Sequence, residues 1–182
     1  MKSSRVYEEN VREIVGRPGE MRERERSIEA PEGFGEALAM VPAGERIDLD
    51  VRLESVHEGI LVSATARTTM HAECGRCLKK FTTPFEVEFQ ELFAYTPTEA
   101  DEHGVHGDHV NLEPPLRDAV VLALPFQPVC RPDCPGLDPE TGELRDAVAA
   151  AEAAPVDPRW AALAGLLAED EDVDRQSDPE SK

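Results

Sequence analysis

Four cysteines in two close pairs are the residues whose type and spacing point most directly to chemistry. Two residues separate Cys74 from Cys77, and three separate Cys130 from Cys134; the chain has no other cysteine. Such spacings are typical of structural zinc sites, in which thiolates surround one metal at about 2.3 Å. The sequence therefore predicts a Zn²⁺ site formed by all four thiolates.

Two other uses of these cysteines stay open. The four are free thiols in turns, or Cys74 and Cys77 form a redox pair without a metal. The redox alternative predicts a low thiol pKa and thiol exchange activity. A metal would matter more for stability, because structural zinc supplies about 10 to 16 kcal/mol of binding free energy in small domains.

A small basic region surrounds the first cysteine pair, although the formal net charge of the 182-residue chain is −19. Most of the negative charge lies in residues 86–113 and 133–182. Arg76, Lys79 and Lys80 outnumber the nearby acids, and phosphate contacts require such side chains. These three residues are predicted to contact RNA; the alternative is that they are solvated loop residues.

The elements that must position the cysteines are mainly strands. Apolar and charged residues alternate through residues 47–56, which predicts a strand with one buried face. A second strand is predicted over 60–72, joined to the first by a turn in which Gly59 takes a positive φ. A third is predicted over 85–93, so that the first cysteine pair connects two strands.

Helices are predicted at four places. Residues 116–124 form an apolar segment bounded by prolines, and this helix is expected to cover the sheet. A short helix is predicted over residues 6–15 and another after Pro31, through residue 40. Residues 157–167 are predicted to form a docking helix beginning with Asp157 and Pro158.

These elements predict an α+β fold: a small antiparallel sheet covered by a short helix, with a Cys-x2-Cys and Cys-x3-Cys knuckle and a flexible acidic C-terminal tail. Residues 1–30 are expected to hold the N-terminal helix and an edge segment, and residues 31–135 the β-rich core domain with both cysteine pairs. Residues 136–168 are expected to form a linker and docking helix, and residues 169–182 a disordered acidic tail.

Several classes of protein are disfavoured by the sequence. It contains no Gly-rich phosphate loop, nucleophile motif or zincin-type His-Glu pair, so we expect no enzymatic activity. Its first thirty residues lack the apolar stretch of a signal peptide, and no run of about twenty apolar residues occurs. We therefore expect a cytoplasmic protein with neither a membrane nor DNA as its partner.

Several segments in order resemble the bacterial YceD family. They are residues 53–62, the Cys74-Gly75-Arg76-Cys77-Leu78 segment, residues 116–125 followed by Cys130 and Cys134, and the closing 157–163 segment. The resemblance spans about residues 5 to 168. Many relatives carry two further cysteines after the second pair, where this chain has Asp138 and Thr141.

The resemblance implies a role in the accumulation or maturation of large-subunit (23S) ribosomal RNA, in a family long catalogued as a domain of unknown function. We therefore expect a non-catalytic ribosome biogenesis factor that binds precursor ribosomal RNA or an assembly protein. The alternative is an acidic adaptor that binds ribosomal proteins or a processing nuclease without contacting RNA. Retention of a partner after nuclease treatment would favour the adaptor.

Overall fold

The computed structural model describes residues 4–36, 38–98 and 103–145. The chain divides into two compact units, residues 1–134 and residues 135–182. In chain order the elements are a 3-10 helix (Ser4–Tyr7), β1 (Glu8–Asn10), β2 (Met21–Glu29), β3 (Phe34–Glu36), β4 (Ala39–Val41), β5 (Arg46–Ser55), β6 (Gly59–Glu73), β7 (Lys80–Ala94), β8 (His109–Asn111) and α1 (Glu113–Ala123). The predicted helix over 157–167 and the acidic tail lie outside the described residues.

Strand β6 is the centre of a six-stranded antiparallel sheet. Along one edge it pairs with β5 through residues 60–67 and with β4 through residues 71–72. Along the other edge it pairs with β7 over its whole length, from Gly59 opposite Ala94 to Glu73 opposite Lys80. Strand β2 lies outside β5, β3 lies outside β4, and β1 and β8 form a separate pair.

The core lies on one face of this sheet. The inward residues of β5 are at most 2% exposed, as expected for a strand that alternates apolar and charged residues. Helix α1 buries Leu116 and Val120 in the same cluster, together with the rings of Tyr7, Phe34 and Phe93. The predicted fold class is confirmed in its described part: a mostly antiparallel sheet, one short α-helix and four clustered cysteines.

The predicted helix over residues 6–15 is wrong. The segment contains the 3-10 helix, then β1, then hydrogen-bonded turns. The apolar residues that suggested a helical stripe are indeed buried, with Val11 0% and Ile14 4% exposed. They reach the core by a different path, because pairing of β1 with β8 draws the backbone into extended form.

The predicted helix after Pro31 is also wrong, because β3 (Phe34–Glu36) pairs with β4 (Ala39–Val41) as an antiparallel hairpin. Phe34 and Val41 are opposite each other in register and are fully buried. Gly35 has φ +83°, which favours glycine, and a Cβ there would lie 2.3 Å from the Leu124 side chain. Tertiary packing thus overrides a weak helical pattern.

The turn before β6 differs from the prediction in one respect. Gly59 does not have a positive φ. A Cβ at this residue would instead lie 2.1 Å from the backbone oxygen of Phe93. The glycine is therefore required by the close approach of β7, not by turn geometry.

Candidate metal centre

The first cysteine pair forms the tight connection between β6 and β7. Cys74 directly follows β6; its backbone N–H donates to the Lys79 carbonyl at 2.9 Å, and its own carbonyl accepts from the Leu78 N–H at 2.8 Å. Leu78 has φ +58°, a left-handed conformation that is uncommon for a residue with a side chain. This compact loop turns both thiols toward one side.

The second pair lies in the segment that follows α1, and two sets of hydrogen bonds join it to the first. The Gly75 N–H donates to the Pro128 carbonyl at 2.8 Å. The Arg76 guanidinium donates from one nitrogen to the carbonyls of Pro132 and Cys134, each at 3.1 Å. These contacts hold the two loops together without any contribution from the sulfur atoms.

The four sulfur atoms converge, and all lie within 4.8 Å of one another. The Sγ atoms of Cys74 and Cys134 are 3.8 Å apart, as are those of Cys77 and Cys130. Four ligands placed tetrahedrally at about 2.3 Å from a metal would be separated by about 3.8 Å. The cysteines therefore lie close enough to hold a metal ion, and two of the sulfur separations equal those of a tetrahedral thiolate site.

Burial and polar neighbours affect the thiols differently. Burial opposes ionisation of Cys74, but the backbone N–H groups of Cys130, Cys77 and Arg76 outweigh it and lower the pKa of Cys74 to about 6. Burial and the neighbouring sulfurs raise the pKa of Cys130 to about 12. The Lys79 N–H favours the Cys77 thiolate, yet burial and the thiols of Cys134 and Cys74 still raise the pKa of Cys77. Without a metal, the cluster thus favours partial ionisation.

Of the three predicted RNA-binding residues, two present unengaged side chains on the loop. Lys79 and Lys80 are exposed and make no ion pair within residues 4–36, 38–98 and 103–145. Arg76 is exposed as well but holds the second cysteine loop through its guanidinium. No pattern in the sequence indicated this structural role. RNA binding by all three residues stays a prediction.

In the second unit, Asp138 organises a short turn. Its Oδ1 accepts the backbone N–H groups of Glu140 at 2.9 Å and Thr141 at 3.0 Å. The N–H groups of Thr141 and then Glu140 contribute most to lowering the pKa of Asp138. The aspartate therefore stabilises this turn by hydrogen bonds.

The sequence is similar to one described protein family and to two mycobacterial proteins. The family model described as "Large ribosomal RNA subunit accumulation protein YceD" matches residues 62–167. An uncharacterized protein of Mycobacterium tuberculosis (strain ATCC 25618 / H37Rv) is 42% identical over 171 residues, which cover 90% of this chain and 83% of the relative. An uncharacterized protein of Mycobacterium leprae is 36% identical, covering 85% of this chain and 74% of the relative.

A more distant relative is the uncharacterized protein YlbN of Bacillus subtilis, 30% identical over 105 residues that cover 54% of this chain and 61% of YlbN. No solved structure matches the chain. Among the described residues, no helix has the length and apolar character needed to cross a bilayer.

Proposed function

The chain belongs to the YceD family of large ribosomal RNA subunit accumulation proteins, and from that membership we propose that it is a non-catalytic factor in ribosome biogenesis. In this proposal the four cysteines hold one Zn²⁺, and the loop between β6 and β7 contacts precursor ribosomal RNA. The observation that carries it is the position of two exposed lysines directly after a cluster of four converging thiols. A cytoplasmic location follows from an RNA partner in a bacterial cell.

Zinc is the metal that fits these ligands best. Four thiolates are soft ligands, which zinc accepts in closed tetrahedral sites. Cys74 and Cys134 are buried, and Cys77 and Cys130 are half-buried. Because four thiolates fill a tetrahedral site, no coordination position is left open for a substrate. Such a site, with two of its ligands buried, suits a structural ion better than a catalytic one. Elemental analysis of the purified protein, alongside analysis of co-purifying nucleic acid, tests the metal and the RNA partner together.

Binding of Zn²⁺ near neutral pH is expected to release at least two protons. The raised pKa values of Cys77 and Cys130 keep both thiols protonated before the metal binds, whereas the Cys74 thiol, with a pKa of about 6, is already mostly ionised. All ligands must lose their protons on coordination, so lowering the pH toward 6 weakens binding. Calorimetry in two buffers of different ionisation enthalpy measures the proton count; a heat independent of buffer would contradict this prediction.

The lysines of the loop are expected to contribute an electrostatic part of RNA affinity. In filter binding with a precursor large-subunit transcript, Lys79→Ala with Lys80→Ala should weaken retention by about tenfold. The slope of log affinity against log salt should fall in magnitude by about 1.4 to 1.8, because two phosphate contacts are lost.

A matched control for the lysine variant is Arg17→Ala with Arg24→Ala. It removes the same charge from exposed residues that make no ion pair in the described part of the chain. The control should retain the parental salt slope. Equal slopes for the lysine variant and the parent would exclude the loop as an RNA contact.

A further inference from the structure

The outer face of the six-stranded sheet, opposite the core, carries a broad groove. Its volume is about 960 Å³, and it is lined by residues 23–25, 50–52, 63–65 and 88–90 of β2, β5, β6 and β7. Val51 and Ala64 are buried on the core side, so the groove opens on the other face.

Carboxylates border the groove on both sides. Glu23 and Glu25 lie on β2, and Glu88 lies on β7; all three are exposed and make no ion pair among the residues that the structure describes. Arg52 is paired with Glu54, and Arg67 with acids of β5 and β7. Arg24 makes no ion pair in the described part of the chain, but it lies opposite Val51 and so on the core side of β2, and the three carboxylates outnumber it. The unbalanced charge of the groove is therefore negative and available to a partner.

The floor between these carboxylates is polar. Ser63 and Thr65 of β6 are half-buried there, and the Gln90 amide donates to the Ser63 hydroxyl at 3.0 Å. Three strand spacings separate β2 from β7, or about 14 Å. That width admits one helix or one extended segment with long side chains reaching both borders, since a helix with its side chains is about 10 to 12 Å across.

We propose that the groove binds a lysine- and arginine-rich segment of a protein partner. Cationic side chains of the segment would form ion pairs with the three unpaired carboxylates. The hydroxyl and amide groups of the floor would form hydrogen bonds with the segment's polar groups. An RNA strand would be repelled by the same carboxylates. This site does not depend on RNA binding by the cysteine loop, because Glu88 and Lys80 are about 26 Å apart along β7.

A fluorescent oligolysine peptide tests the proposal with the full chain. Glu23→Gln, Glu25→Gln and Glu88→Gln together should weaken binding by about tenfold at physiological ionic strength. The matched control is Glu36→Gln, Asp118→Asn and Glu140→Gln, which removes three exposed acids outside the groove. The control should change affinity by less than about twofold. Melting temperatures close to that of the parent verify that both variants fold.

Amide NMR shifts identify where the peptide binds. Saturation with oligolysine should shift Ser63, Thr65 and Gln90, and Lys79→Ala with Lys80→Ala should leave these shifts unchanged. Equal affinity losses in the groove and control variants would overturn the proposal, since acids elsewhere would then account for binding. Absence of binding, or a precursor RNA transcript that shifts the same three amides, would also overturn it.

Discussion

Cys74→Ser will lower the melting temperature of the zinc-loaded protein by about 8 to 16 °C. Removing one of four ligands abolishes tight coordination, and a ligand present at a thousandfold its Kd stabilises the folded state by about 4 kcal/mol. For a chain of this size, each kcal/mol corresponds to about 2 to 4 °C. Calorimetric melting in the presence of zinc measures the shift. Cys74 is the appropriate choice because it is fully buried next to Cys134, with its sulfur 3.8 Å from that of its neighbour.

A strong chelator provides the matching control. It should lower the melting temperature of the parent to near that of Cys74→Ser, and it should leave the variant itself unchanged, because the variant has no tightly held metal to lose. A parent protein that contains no zinc and melts identically with and without chelator would contradict the metal site. The cysteines would then be free thiols or a redox pair.

Gly59→Ala should destabilise the protein by about 3 kcal/mol, although the substitution adds only one methyl group. A Cβ at Gly59 would lie 2.1 Å from the Phe93 backbone oxygen and 3.0 Å from the Ala94 Cα. These are backbone atoms of the paired strand, so the start of β6 must separate from the end of β7 to relieve the clash. Denaturant unfolding of both proteins gives the difference in free energy.

Gly44→Ala is a suitable comparison for Gly59→Ala. Gly44 has φ +84°, and a Cβ there would meet nothing within 4 Å. Its substitution should cost about 1 kcal/mol, the conformational penalty of a side chain at positive φ. If Gly59→Ala were no more destabilising than Gly44→Ala, close approach of β7 would not be the reason for the glycine.

The strands with alternating apolar residues could be predicted from the sequence because one of their faces is buried. Strand β5 spans Arg46–Ser55 where residues 47–56 were predicted, and β6 spans Gly59–Glu73 where 60–72 were predicted. Strand β7 begins at Lys80 instead of residue 85, because cross-strand pairing with β6 continues up to the cysteine loop. Helix α1 likewise begins earlier, at Glu113, with prolines accommodated in its first turn.

Strand β2 was mostly missed because its inward side chains are arginines. Arg26 lies on the core side, yet its guanidinium is held by the Glu9 carboxylate at 2.6 Å and by backbone carbonyls of the N-terminal segment. Glu9 itself is only 5% exposed. A partly buried ion pair leaves no periodic apolar signal, so the alternating arginines and glutamates of residues 22–26 did not predict a strand.

The cysteine spacing indicated a metal site, but the geometry that unites the pairs could not be deduced from it. Convergence depends on where α1 ends relative to the β6–β7 turn and on the hydrogen bonds of Arg76 to the second loop. The groove was also missed. Alternating acids at Glu23 and Glu25 were visible, but only the sheet order brings them opposite Glu88.

Because β6 supplies hydrogen bonds on both of its edges, strands β2 to β7 form one connected hydrogen-bonded sheet. If the cysteine end of β6 loosened, its hydrogen bonds to β4 and β7 would be lost. Loss of the pairing with β7 would also disturb the packing of Phe93, at the other end of that strand. Melting of this unit should therefore be cooperative. A preparation that is only partly loaded with metal would then give two separate thermal transitions, one for each population, whose areas report the loaded fraction directly.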